Sequence, residues 1–429
     1  MDFTFTEEQQ AAAEAARTVF AGVAPDGVPS PSLVPGAVAD DFDRALWAKL
    51  ADADLLSLLL DPAYGGSGLD PVALCLVLRE SAKVLARGPL LESSAAAVAV
   101  QAHGREELKA ELLARVGRGE AVLTVAAHGL TGHDPAELAV TARRDPEGSW
   151  ILDGVQTAVP WAQQADFVVV PATPSPESLI GLSADATSDG TSGETSGETS
   201  GGTSGGTSGE IFDRTAHETG KGPAAADGRT VLALVPRAHA GVTLAEQIST
   251  HGERLAELRL ESVRIPARDV IDAEGAWDRL RELLTTGTCA LALGLGEAVL
   301  GMTGEYAGKR EQFGFPIATF QAVAVQAADR FIDLRAMEAT LWQAAWRITS
   351  GASGALPAAG DVSVAKIWAA EGVRRVVQTA QHLHGGFGAD VDYPLHRYHA
   401  WAKHLELSLG PAAAHEEALG DLLAAHPLG

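Results

Sequence analysis

The hydrophobic period of this chain changes twice along its length, and that change limits the architecture more than any single motif. From Phe5 to about Arg115 apolar residues return every three or four positions, with Ala, Leu and Glu between breakers, which is the pattern of amphipathic helices. Thr6 before Glu7 and Glu8 marks a helix start; Trp47, Leu50, Leu55 and Leu58 form a candidate buried stripe. The run Asp61 to Gly68 breaks the helical pattern, and Val72 to Val84 resumes it. From about Val122 the texture turns to short alternating runs. Val140 to Arg144, the turn Asp145-Pro146-Glu147-Gly148 and Trp150 to Leu152 read as a hairpin; Val168 to Val170 and Val231 to Val235 are further strands. Leu258, Leu260, Val263 and Ile265 alternate with one slip, as at a bulge. Helical texture then returns at Trp277 to Arg310, Gln321 to Ser350, Val362 to His384 and Pro394 to Leu407, four long segments suited to an antiparallel bundle.

The expected chain is therefore α+β and multidomain: an N-terminal α-helical domain at 1–118, a β-barrel or sandwich domain at 119–272, and a C-terminal four-helix bundle at 273–429. Inside the β region an insertion runs from about Pro176 to Asp227, where Thr-Ser-Gly-x occurs five times between Thr191 and Glu210. The repeat has no apolar side chain to offset the entropy of ordering it, so a flexible surface loop is expected.

Composition narrows the function. A chain of 429 residues with 56 acidic and 32 basic side chains carries a formal charge of -24, which repels phosphate backbones and argues against nucleic acid as a partner. No stretch reaches the ~18 uninterrupted apolar residues of a membrane span, and the start MDFTFTEEQQ lacks the regions of a signal peptide, so a cytoplasmic protein is expected. Cys75 and Cys289 belong to no metal-spaced cluster and read as small core residues. His396, His399 and His404 invite a zinc reading, but no HExxH or nearby cysteine completes a ligand set, and none is assigned. No GxSxG elbow supports a serine hydrolase. Gly294-Leu295-Gly296 has no strand before it, which points to close helix packing rather than a phosphate loop.

The order of these regions and several strings resemble the acyl-CoA dehydrogenase family of flavoproteins. The strings are Met1-Asp2-Phe3-Thr4-Phe5-Thr6-Glu7-Glu8-Gln9, Tyr64-Gly65-Gly66-Ser67-Gly68-Leu69 and Gly88-Pro89-Leu90-Leu91-Glu92. Later come Lys309-Arg310-Glu311-Gln312-Phe313-Gly314-Phe315-Pro316-Ile317, then His382-Leu383-His384-Gly385-Gly386-Phe387-Gly388 and Tyr393-Pro394. The resemblance implies FAD as cofactor, an acyl-CoA as substrate and an electron-transfer flavoprotein as acceptor. It places Arg310, Gln312 and Phe313 in a segment that reaches across a dimer interface to a neighbour's FAD, with His382, Gly385 and Gly386 lining the same pyrophosphate and adenosine end. A guanidinium at a helix end suits a pyrophosphate, and two glycines let backbone approach it closely.

The family's chemistry is removal of an α-proton by a glutamate while hydride passes from the β-carbon to the flavin, so a carboxylate base is indispensable. The resemblance puts that position at Leu409. A second family branch carries its base on the first long helix of the C-terminal region, and the spacing the resemblance implies there reaches Leu284 or a neighbour, with Thr285 and Thr286 following. The nearest carboxylates are Glu282, rotated by ~200° from that position, and Glu406, about one turn short of Leu409. The aromatic-aliphatic-hydroxyl triplet over the flavin ring becomes Ala158-Val159-Pro160, and Val125 to Gly129 replaces the usual Thr-Glu-Pro string. With base, ring cover and hydroxyl donor all lost, the pattern resembles the partner subunit of heterotetrameric α2β2 dehydrogenases of steroid side chains. This chain then completes the FAD site of a base-bearing subunit. Two alternatives stay open: a self-sufficient homotetramer in which Glu282, Glu406 or another carboxylate has taken over as base, and a flavin-free structural homologue.

Overall fold

The computed structural model describes residues 4–31, 33–129, 138–175 and 229–427; the insertion expected at 176–227 lies outside them. Five helices open the chain: α1 Glu7–Phe20, α2 Arg44–Asp52, α3 Pro71–Lys83, α4 Leu90–His103 and α5 Glu106–Gly117. Thr6 caps α1 through a reciprocal pair, its hydroxyl accepting from the Gln9 N–H while the Gln9 side chain accepts from the Thr6 N–H. Asp43 and Asp70 cap α2 and α3 one way only, their carboxylates accepting from the Leu46 and Ala73 N–H groups. The break at Asp61 to Gly68 contains a 3₁₀ turn, Pro62–Tyr64, closed by Gly65 at φ 81°.

Among the described residues eight strands follow, β1 Leu123–Val125, β2 Val140–Arg144, β3 Trp150–Pro160, β4 Phe167–Pro174, β5 Val231–Pro236, β6 Val242–Ile248, β7 Arg254–Ile265 and β8 Val270–Ile271. They form one mixed sheet in the order β6-β7-β3-β2-β4-β5-β8, with β1 beside β4. β1 and β2 both run parallel to β4, while the other pairs are antiparallel. The slip in β7 is a real irregularity: Val263 faces Leu152 and Leu260 faces Gly154, so Glu261 and Ser262 form a bulge, with Ser262 at φ 51° and its N–H on Asp153. Side chains alternating inward from β2, β3, β5 and β7 make a separate hydrophobic cluster around Trp150, Leu152, Val235 and Leu258.

The C-terminal region holds α6 Ala276–Lys309, a short hairpin of β9 Glu311–Gln312 with β10 Phe315–Pro316, then α7 Gln321–Ser350, α8 Ala358–His384, α9 Leu395–Leu407 and α10 Ala412–Ala425. A fifth helix thus follows the four read from the sequence; α10 buries no residue, so its sequence carries no strong apolar stripe. Helix α6 has the length and apolar character of a membrane span, but 78% of its most apolar window is buried inside the fold. It is the central helix of a core shared by both helical regions. Two glycines let α6 approach its neighbours: a Cβ at Gly294 would overlap the Arg79 carbonyl of α3, and one at Gly287 would overlap Leu91 of α4. The Arg79 guanidinium pairs with Glu297 and Glu338, tying α3 to α6 and α7. Cys75 and Cys289 are buried in this core.

Candidate functional site

Leu284 and Leu409, the two positions at which the resemblance leads one to expect a base, converge. Both line one cavity of about 90 Å³ between α4, α6, α9 and the sheet edge, and both are nearly fully buried. Neither Glu282 nor Glu406 reaches it. Glu282 opens onto two other depressions, where burial, then Asp278, pushes its carboxyl above the usual range. The Glu406 carboxylate pairs with Lys403 at 2.7 Å.

The turn carrying Leu409 is fixed by polar contacts. Leu409 has φ 59° and Gly410 φ 101°, a left-handed pair that ends α9. Lys366 of α8 is completely buried and donates to the carbonyls of Leu405 at 2.9 Å and Glu406 at 3.0 Å, two groups the helix end leaves unpaired. Burial pulls its pKa down to about 8, against the pull of Cys289 and Glu406. His415 of α10 holds the Leu409 carbonyl at 2.9 Å.

The remaining wall comes from strand ends. β1 ends at Val125, followed by Ala127 and His128; β3 contributes Pro160, followed by Trp161. Ala158 has φ 54° and its N–H goes to the Gln247 side chain, while Pro160 has no N–H to give. Trp161, at φ 57° and buried, stands edge-on to Phe42 with centroids 6.1 Å apart. Its side chain hydrogen-bonds Glu92, whose carboxyl is raised to about 7 chiefly by burial. The cavity thus holds two carboxyls, Glu253 paired with Arg87 and Glu92 without a cationic partner among the described residues; Glu92 closes the string Gly88 to Glu92 but has no role legible in the sequence. On the far side His251 and His404 stack at 4.1 Å, with Trp401 edge-on to His251 and the Arg87–Glu253 pair at 2.5 Å behind them. Burial holds His251 well below the usual imidazole range and His404 at about 4, so both rings are neutral at pH 7. About 90 Å³ is room for roughly three waters at ~30 Å³ each, whereas pockets for cofactor-sized ligands start at ~300 Å³. An isoalloxazine ring does not fit this cavity, and the hydroxyl that stands at the Ala158–Pro160 edge, that of Thr124, already donates to the Pro160 carbonyl at 2.6 Å.

A second group of residues lies at the other end of α6. Arg310 caps the helix, exposed and with no ion pair among the described residues. The β9–β10 hairpin after it projects Phe313, which has φ 55° and is 90% exposed; Gln312 beside it hydrogen-bonds only the Glu311 carbonyl. The end of α8 packs alongside: Tyr306, one turn before Arg310, stacks on His384 at 4.3 Å and on Phe387 at 5.4 Å. This contact brings exposed His382, Gly385 and Gly386 to the same end of the molecule as Arg310. A Cβ at either glycine would meet nothing within 4 Å, and Gly385 has φ 59° and ψ -139°, a backbone region open to glycine alone. The cradle is open. From Leu284 to Arg310 is 26 residues of helix, or ~39 Å at 1.5 Å per residue.

Among the described residues no three potential metal ligands come together. His396 instead bonds Ser30 at 2.7 Å and the Val391 carbonyl at 3.3 Å.

The family description "Acyl-CoA dehydrogenase, N-terminal domain" matches residues 6–120, and "Acyl-CoA dehydrogenase, C-terminal domain" matches residues 284–423. Among curated proteins, acyl-CoA dehydrogenase FadE27 of Mycobacterium tuberculosis is 32% identical over the full length of both chains. Among solved structures, a chain of the ChsE4-ChsE5 complex of M. tuberculosis is 31% identical, covers all of both chains and superposes with a TM-score of 0.80. A chain of a variant of the Tcur3481-Tcur3483 steroid ACAD is also 31% identical, covers 98% of each chain and gives a TM-score of 0.78.

Proposed function

The chain belongs to the acyl-CoA dehydrogenase family, FAD-dependent oxidoreductases acting on CH–CH donors, and from that premise we propose that it is the subunit that completes a partner's flavin site in a heteromeric, α2β2 enzyme. The observation that carries this reading is the separation of the two groups of residues. The cavity at Leu284 and Leu409 is too small for a flavin ring and has no glutamate at either base position, while the open cradle of Arg310, Gln312, Phe313, His382, Gly385 and Gly386 lies ~39 Å away along α6. Residues that far apart do not serve one cofactor held in this chain's own cavity. They serve a flavin held mainly by another chain.

In this reading the partner supplies the carboxylate that takes the α-proton, and FAD, when bound, accepts the hydride from the β-carbon. This chain's contribution is binding: Arg310 donates to the pyrophosphate as a planar fork, the two glycines admit the phosphates to the backbone, and Phe313 offers a face to an aromatic or apolar neighbour. The likeness to a chain of the ChsE4-ChsE5 complex supports a heteromeric assembly, and the likeness to a chain of a steroid ACAD supports a bulky, steroidal acyl-CoA as substrate; a cytoplasmic reaction with an electron-transfer flavoprotein as acceptor completes the proposal. Arg310→Ala tests the reading in the co-purified complex. The two chains stay assembled but the flavin washes out; flavin retained at the wild-type level refutes the assignment.

A second reading rests on Glu92. A carboxyl of pKa about 7 in a cavity has the acidity of a general base at neutral pH. If it is one, the cavity must widen to admit the flavin ring that its present volume excludes, the isolated chain binds FAD and desaturates an acyl-CoA, and Glu92→Gln abolishes that turnover. The shared-site reading predicts no turnover by the isolated chain at all.

A further inference from the structure

Leu409 also lines a second and larger cavity, of about 620 Å³, between α6, α8 and α10. That volume lies within the ~300–1,000 Å³ of ligand pockets. Val362 of α8 with Ala414, Ala418 and Leu422 of α10 make an apolar wall. The opposite wall is one face of α6, where Glu282 and Thr285, three residues apart, are neighbours. Thr285 is only 2% exposed, yet its hydroxyl makes no hydrogen bond among the described residues. Thr286 and Thr288 of the same helix donate instead to the carbonyls of Glu282 and Leu284, at 2.7 and 2.9 Å. The Thr285 oxygen is not sealed in the packing but opens onto the cavity. Buried polar atoms are almost always paired, so a free hydroxyl on the wall of a void marks a missing partner.

The carboxyl beside it lacks a partner too. Glu282 makes no ion pair among the described residues, and Arg281, the one lysine or arginine on the described lining, is held by Asp278 at 3.2 Å. Burial and Asp278 raise the Glu282 pKa more than Arg281 and Arg279 lower it, so those guanidinium groups leave its charge uncompensated. His415 supplies no cation: its ring is neutral, with Nε2 on the Leu409 carbonyl and Nδ1 facing the Ser363 hydroxyl at 3.4 Å. Glu417 and Asp421, one turn apart on α10, line the same space, again with no ion pair among the described residues.

We propose that this cavity binds a primary alkylammonium, a cation carried on an apolar body. The ammonium donates to the Glu282 carboxylate and to the Thr285 hydroxyl, and the hydrocarbon lies against Val362, Ala418 and Leu422. Glu417 and Asp421 set the selectivity: they repel a negative charge, so an acid with the same body is rejected. The inference is independent of how the flavin is shared, because neither Glu282 nor Thr285 lines the flavin-side cavity or belongs to the Arg310 cradle.

The test is calorimetric titration of the full chain with phenylbutylamine, against phenylbutanol and phenylbutyrate of the same shape, at physiological salt so that the diffuse field of an acidic protein is screened. Saturable binding of one amine per chain is expected, roughly ten-fold tighter than the alcohol, with no binding of the acid. Glu282→Gln keeps the shape of the side chain and is expected to cost roughly ten-fold in amine affinity while leaving the alcohol almost unchanged. Thr285→Val, which removes only a hydroxyl that bonds nothing, keeps the fold and is expected to weaken the amine several-fold. Ala418→Trp, on the exposed helix α10, fills the cavity and is expected to remove binding of both. Absence of amine binding at millimolar concentration overturns the proposal, as does uptake that never saturates, equal affinity for amine and acid, or unchanged amine affinity in Glu282→Gln.

Discussion

Lys366→Met separates the two opposing effects of a buried lysine, and the structure gives the size of each. The ammonium is wholly inside the protein and its pKa falls from 10.5 to about 8, burial being the dominant cause. Since the folded-state value is the lower one, the unfolded chain binds more protons between pH 8 and 10.5, and stability must rise with pH through that window. For one group with these values the linkage relation gives a gain on the order of 1 kcal/mol between pH 7 and pH 9. Measurement above pH 9 is less clean, because Cys289 is pushed up to about 12 and Cys75 higher still, and thiol ionisation in the unfolded chain then lowers stability. Methionine fills the same space without charge but leaves the carbonyls of Leu405 and Glu406 unpaired, at a cost of ~1–3 kcal/mol each. It also removes a desolvation cost of ~3 kcal/mol at pH 7, against ~2–6 kcal/mol for the two carbonyls together, so the absolute stability does not tell the two effects apart. The slope distinguishes them. Urea unfolding of wild type and Lys366→Met at pH 7, 8 and 9 is expected to show wild type gaining on the order of 1 kcal/mol more than the variant. Parallel pH dependences in the two proteins would refute the reasoning.

Acid acts on the same turn. His404 and His415 are both lowered to about 4, mainly by burial, so the unfolded chain binds more protons between pH 4 and 6.5 and stability falls on acidification through that range. Full burial would give ~2 kcal/mol per ring at pH 5; both keep some solvent contact, so about 1 kcal/mol each is expected, read as a fall in unfolding midpoint that His404→Gln partly removes. Gly294→Ala is expected to destabilise by ~1–3 kcal/mol, because its Cβ meets the rigid Arg79 carbonyl. Gly296→Ala meets only the mobile tip of Leu334 at 2.8 Å and should cost less in the same unfolding assay. Phe313→Ser should leave the stability of the chain within ~0.5 kcal/mol, since the ring is 90% exposed, while weakening flavin retention in the complex.

What the sequence revealed follows from range of interaction. Local periodicity located α7 at Gln321–Ser350 and α6 to within a residue of its ends, because each is long and apolar enough for its pattern to dominate. The slip in alternation likewise located the Ser262 bulge. Helix α10 escaped notice because a helix that buries nothing has no stripe to read. The parallel placement of β4 beside both β1 and β2 depends on pairings between distant segments and has no local signature. At the site, Leu284 and Leu409 could be named from the resemblance, but their meeting on one cavity is a tertiary fact. Trp161 lies in the string next to Pro160, yet nothing in the chain says that its ring occupies the cavity wall against Glu92. Glu92 itself sits in an alanine-rich helix, where a lone carboxylate reads as solvated until burial reveals its raised pKa.

The most direct test of the shared-site account is the flavin content of the assembly formed with a base-bearing acyl-CoA dehydrogenase chain. Native mass and flavin absorbance on the purified complex give chains and FAD together. The account predicts a 2:2 assembly with one FAD for each pair of chains, and a colourless protein when this chain is purified alone. One FAD per chain, in the complex or in a homotetramer of this chain, would contradict it.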